Sequence, residues 1–83
     1  MRTVHLYRCF NKDGVLLYIG GSMFFQHRIL ALRSKNEWFN DVTIIQIEHF
    51  KYRDDMRAAE RRAIATESPI YNRMGNPKKV EIK

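Results

Sequence analysis

The chain has one cysteine, Cys9, so no intrachain disulfide can form and the framework of a small secreted domain is excluded. A reducing cytosol is the expected compartment, with association to the nucleoid compatible with it. No apolar run approaches the roughly 20 residues needed to cross a bilayer. The residues after Met1 alternate like a strand instead of forming a basic segment and an apolar core, so an intracellular protein is expected. Internal repeats and low-complexity linkers are also absent. Acidic residues are scarce: 15 Lys and Arg stand against 9 Asp and Glu, a formal charge of +6, with a pI of about 9.8. Such a surface attracts polyanions, nucleic acid first among them, although a solvated basic surface that merely aids solubility has the same composition. Eighty-three residues suffice for one domain, and so short a chain buries a modest fraction of its surface, which disfavours a deep enclosed site.

From Arg2 to Phe10, Val4, Leu6 and Arg8 alternate with His5, Tyr7 and Cys9, the period of a strand. Asn11-Lys12-Asp13-Gly14 is a turn cluster, and the β-prone run Val15 to Ile19 completes a hairpin. Gly20-Gly21 then reads as a strand break and Ser22 as the cap of a helix from about Met23 to Arg33, with Phe25, Ile29 and Leu32 as its apolar stripe. Trp38 and Phe39 suggest a short helical or irregular plug. Val42 to Phe50 predicts a third strand whose inward face is Thr43, Ile45, Ile47 and His49 or the opposite set. Asp54 or Asp55 can cap a second helix running to about Thr66, and Ser68-Pro69 stops it. The expected fold is α+β: a small three-stranded antiparallel sheet flanked by helices in the order β-β-α-β-α, over residues 1–75, followed by a basic tail at 76–83.

Few side chains offer chemistry. Two phenols (Tyr7, Tyr18), one guanidinium on a helix (Arg28), one carboxylate on a helix (Glu60) and one amide (Asn72) form a sparse ordered set. Taken singly, each has an ordinary role: strand aromatics, a solvated helix residue, a surface ion pair of Glu60 with Arg57 or Arg61, and a turn former.

In order and spacing the set resembles the GIY-YIG nuclease family. That family places a tyrosine on the first strand, a Tyr-Ile-Gly or Tyr-Val-Gly on the second and an arginine on the following helix, matched here by Tyr7, Tyr18-Ile19-Gly20 and Arg28. Ala58-Ala59-Glu60-Arg61 and Pro69-Ile70-Tyr71-Asn72 look like the family's metal-binding glutamate and closing asparagine, so the match runs from about Thr3 to Asn72. The resemblance implies a DNA endonuclease using one divalent ion, Mg²⁺ or Mn²⁺, held by Glu60 and the phosphate itself. Arg28 would bind the scissile phosphate, Tyr7 would act as general base or position the water, Tyr18 would orient water or phosphate, and Asn72 would brace the site.

Two positions depart from the family. The first motif reads His5-Leu6-Tyr7 instead of Gly-Ile-Tyr, and Leu32 stands where many relatives carry a histidine, lysine or tyrosine one turn after the arginine. His5, two residues from Tyr7 on the same strand face, is expected to take over part of the assisting role. Arg53, Arg57 and Arg61 recur every fourth residue as a basic stripe suited to DNA phosphates, with His27, Lys78 and Lys79 as further DNA contacts. One active site cuts one strand, so a double-strand break calls for a homodimer or two successive events. Low sequence specificity, or specificity supplied by DNA shape or a partner protein, is expected. The alternative is a catalytically impaired nucleic-acid-binding module of the same fold.

Overall fold

The chain begins with the hairpin. In the computed structural model, which describes residues 3–72, β1 (Val4–Phe10) pairs antiparallel with β2 (Leu16–Ser22), from His5 opposite Ser22 to Phe10 opposite Leu16. The turn is built on Asn11, whose Oδ1 accepts the N–H groups of Asp13 and Val15 at 2.9 Å each, while Gly14 supplies the positive φ of 80°. Between Cys9 and Phe10 the register shifts, so the buried Leu17 is an extra residue on β2.

On its other side β1 pairs antiparallel with β3 (Ile44–Phe50), giving the order β2-β1-β3. The elements follow as β-β-α-β-α, an α+β fold with helices on both faces of the sheet. On one face α2 (Arg53–Glu67) covers Val4, Leu6 and Ile19 with Met56, Ala63 and Ile64. On the other, α1 (Phe25–Lys35) and a 3₁₀ helix (Glu37–Asp41) cover Tyr7 and Cys9 with Leu32, and Phe25, Ile29, Trp38 and Phe39 pack around them. The alternation of β1 is what separates the two cores.

Gly20-Gly21 does not break the strand, because β2 continues through both to Ser22. Glycine is needed here for close approach. A Cβ on Gly20 would lie 2.5 Å from the Tyr7 oxygen, and one on Gly21 would collide with the Met56 thioether of α2. Each glycine therefore admits a side chain from one of the two layers. With the strand prolonged, α1 starts at Phe25, the first residue of its stripe and two later than the expected Met23, and Ser22 does not cap it: its Oγ accepts the Phe24 N–H at 2.8 Å, ahead of the helix. The second helix likewise begins at Arg53, so Asp54 and Asp55 sit inside its first turn, near the positive end of its dipole, and Tyr52 occupies the cap position. It ends at Glu67, where Ser68 adopts the left-handed conformation (φ 50°) before the buried Pro69.

Both faces of β3 are used. Ile45 packs with Tyr7 and Cys9, and Phe50 packs with the α2 core. Opposite Leu6 and next to Arg8, Glu48 belongs to the α2 side, where Arg8 makes a bidentate pair with Glu67 (2.9 Å twice) and a longer contact of 3.4 Å with Glu48. Among the described residues, no helix is long and apolar enough to cross a membrane.

Candidate functional site

Because β2 is an edge strand with a helix on either side, residues of α1 and α2 can meet across its outer rim. They do so at Gly20-Gly21, where a pocket of about 510 Å³ is lined by Tyr18 of β2, Arg28 of α1, and Arg53, Arg57 and Glu60 of α2. Thus β2 and α1, consecutive in the chain, and the more distant α2 contribute one phenol, three guanidinium groups and one carboxylate to a single open depression.

Arg28 stands next to the two phenols. Its Nη2 donates to the Tyr18 oxygen at 3.5 Å. Tyr7 lies underneath, fully buried, with its ring edge-on to Phe25 at 5.5 Å and its oxygen pressed against Gly20. That oxygen makes no hydrogen bond among the described residues. Burial drives the acidity of Tyr7 well below that of a free phenol, and the neighbouring Tyr18 adds to the effect. Arg28 opposes both by favouring the phenolate. Tyr18, by contrast, lines the pocket and is partly exposed.

Glu60 faces the pocket from α2 with its side chain 17% exposed, and it accepts a hydrogen bond from Arg57 Nη1 at 2.8 Å. The ion pair and the pocket position coexist. Among the lining residues it is the one carboxylate. No group of three or more His, Cys, Asp or Glu side chains gathers at ligand spacing among the described residues. Glu60 is thus the one lining carboxylate that could ligate a hard cation, and in this structure Arg57 occupies it.

Asn72 braces the strand that carries Tyr18. Its Oδ1 accepts the Ile19 N–H at 2.8 Å and its Nδ2 donates to the Ile19 carbonyl at 2.7 Å, as a neighbouring strand would. The adjacent Ile70 and Tyr71 N–H groups bond to the carbonyls of Leu16 and Leu17. Residues 69–72 therefore fasten the outer rim of β2 without entering the pocket.

The remaining expected residues lie elsewhere. His5 opens onto a separate groove lined by Met23, Phe24, Phe25, Gln26 and His27. Its ring contacts Phe25 at 5.8 Å and His49 at 4.9 Å, and Phe25 touches Tyr7 as well. Leu32 points into the core against Tyr7 and Cys9, so in this chain the position one turn after Arg28 is a packing position. Arg61 is exposed on α2 but does not line the pocket. Lys78, Lys79 and the boundary between residues 75 and 76 fall outside the described residues. Cys9 is fully buried, which raises its thiol pKa to about 11 and leaves it unreactive near neutral pH.

One feature of the site has no counterpart in any sequence spacing: Trp38 stacks on both Tyr18 (5.2 Å, 28°) and Tyr71 (5.1 Å, 5°). No family model matches the chain, and neither a curated protein nor a solved structure is significantly similar to it.

Proposed function

We propose that this protein is a metal-dependent DNA endonuclease of the GIY-YIG type, hydrolysing phosphodiester bonds with one divalent ion and little intrinsic sequence specificity. The observation that carries this reading is the shared pocket of Tyr18, Arg28 and Glu60, assembled from three elements at the rim of β2. A pocket with three arginines and one carboxylate is matched to a phosphodiester, which needs its negative oxygens neutralised and its water held in line.

Glu60 would hold the ion, Mg²⁺ or Mn²⁺, which when bound neutralises charge on the phosphoryl and leaving oxygens. Arg28 presents a planar fork to the non-bridging oxygens, and Arg53 and Arg57 line the path of the flanking backbone. Tyr18 is the phenol placed to meet the phosphate or the attacking water. Tyr7 serves from beneath, supporting Gly20 and sharing the field of Arg28. Asn72 keeps β2 in place.

The second reading, a binding module without efficient chemistry, is favoured by one observation: the first-strand phenol is buried and, although Arg28 favours its phenolate, far less acidic than a free tyrosine. Nicking of supercoiled plasmid separates the two. With Mg²⁺ or Mn²⁺ the wild type should nick. EDTA should abolish the reaction, and Glu60→Ala and Arg28→Ala should each lower the rate by about a hundredfold or more. Salt-sensitive binding with no nicking on plasmid or branched DNA would select the binding module.

A further inference from the structure

We propose that Tyr18, Trp38 and Tyr71 form a stacking platform that takes an unpaired nucleobase of single-stranded DNA a few nucleotides from the cleaved phosphate, an inference that rests on the nuclease reading above. Trp38 is the middle ring, nearly parallel to Tyr71 at 5.1 Å and inclined by 28° to Tyr18 at 5.2 Å. At the inner end, Tyr18 lines the arginine-rich pocket and accepts from Arg28. At the outer end, Tyr71 remains 42% exposed. A run of rings that leads from an arginine-rich pocket to an exposed tyrosine suits a single strand that lays its backbone in the pocket and a base a few nucleotides away on Tyr71.

The outer ring is also held in place before any ligand arrives. The Tyr71 N–H bonds to the Leu17 carbonyl at 2.8 Å, and the next residue clamps Ile19 through its side-chain amide. A base that stacks there costs little ordering of the protein. Bases inside a duplex already have both faces covered by their neighbours, so the platform discriminates for flaps, gaps and single strands over continuous duplex.

Trp38 is the sole tryptophan, so its fluorescence reports on the platform directly. In EDTA, which prevents cleavage, the full chain is titrated at low salt with oligothymidylate, with an abasic strand of equal length and with duplex of equal length. The thymidylate strand should quench Trp38 and bind about tenfold more tightly than the abasic strand, which offers the same phosphates and no base. Tyr71→Leu should remove that advantage, and Tyr71→Phe should keep it. Equal affinity for the thymidylate and abasic strands, or tighter binding of duplex, would overturn the platform while leaving the nuclease reading intact. Failure to bind any of the three would overturn both. The comparison of natural and abasic strands uses the wild type, so it decides the matter even if Tyr71→Leu does not fold.

Discussion

The two faces of the sheet are built from different chemistry. Beneath α2 the core is aliphatic: Val4, Leu6, Ile19, Met56, Ala63 and Ile64 are buried and leave no side-chain polar group to satisfy within that cluster. Beneath α1 and the 3₁₀ helix it is aromatic and partly open, with Tyr7, Tyr18, Phe25, Trp38 and Phe39 around a buried phenol and an exposed arginine. Aliphatic side chains pack without directional demands, so the inward side of α2 serves stability while Arg53, Arg57 and Glu60 on the same helix line the pocket. The aromatic face carries hydroxyl and guanidinium groups that are costly to desolvate, and these are the groups a phosphate would engage. The two layers meet at Gly20-Gly21, where each glycine admits one layer and where α2 adds Arg53, Arg57 and Glu60 to the pocket beside Tyr18 and Arg28.

The division can be tested hardest on the aliphatic side. Leu6 is fully buried in the middle strand, and Leu6→Ala should lower the unfolding free energy by about 3 kcal/mol, read as a shift of the urea midpoint. In a domain this small such a loss is a large share of the total. A loss below about 1 kcal/mol would mean that the α2 core is looser than its burial suggests.

A smaller effect concerns the charged group at the end of that face. Arg8 clamps Glu67 with two bonds of 2.9 Å, joining β1 to the last turn of α2. The hydrogen bonds from Arg8 hold the Glu67 carboxyl below its ordinary pKa. A depressed carboxyl stabilises the fold fully above its unfolded pKa, and the contribution is lost as the pH falls through the folded value. Glu67→Gln should therefore cost about 1 kcal/mol at neutral pH, a modest figure because the carboxylate is partly exposed, and progressively less as the pH falls below about 4.5. Urea melts of both proteins across that range check it. A constant difference at every pH would remove the ionic contribution.

How far these features are legible in the sequence depends on whether they are local. The hairpin follows from alternation and the Asn-Lys-Asp-Gly turn, and α2 from its Ser68-Pro69 stop and the Asp54-Asp55 pair, although that pair lies inside the first turn instead of capping it. Gly20-Gly21 is visible as a special pair, but a glycine needed for close approach reads the same as one that ends a strand until Tyr7 and Met56 are seen against it. Tyr18, Arg28 and Glu60 stand out as an ordered set. That they share a pocket depends on β2 being an edge strand with helices on both faces, which no spacing states. His5 and Tyr7 share a strand face as period two requires, yet Phe25 contacts both rings and His5 opens onto its own groove. Trp38 and Tyr71 meet through tertiary folding alone.

The smallest expected effect sharpens the comparison most. The Tyr7 hydroxyl is buried with no hydrogen bond of ordinary geometry among the described residues and only the neighbouring Arg28 guanidinium to offset its dehydration, which for a wholly unpaired group costs on the order of 1–3 kcal/mol. Tyr7→Phe removes that group and keeps the ring that packs on Phe25 and Leu32, so stability should be unchanged or rise by about 1 kcal/mol. If Tyr7 belongs to the site, nicking should fall sharply in the same variant. A core tyrosine with only a packing role would lose neither stability nor rate, and a structural hydroxyl would lose stability. Gain in one measurement with loss in the other is the outcome expected of a phenol kept on the aromatic face for its chemistry, at the expense of packing that phenylalanine would satisfy better.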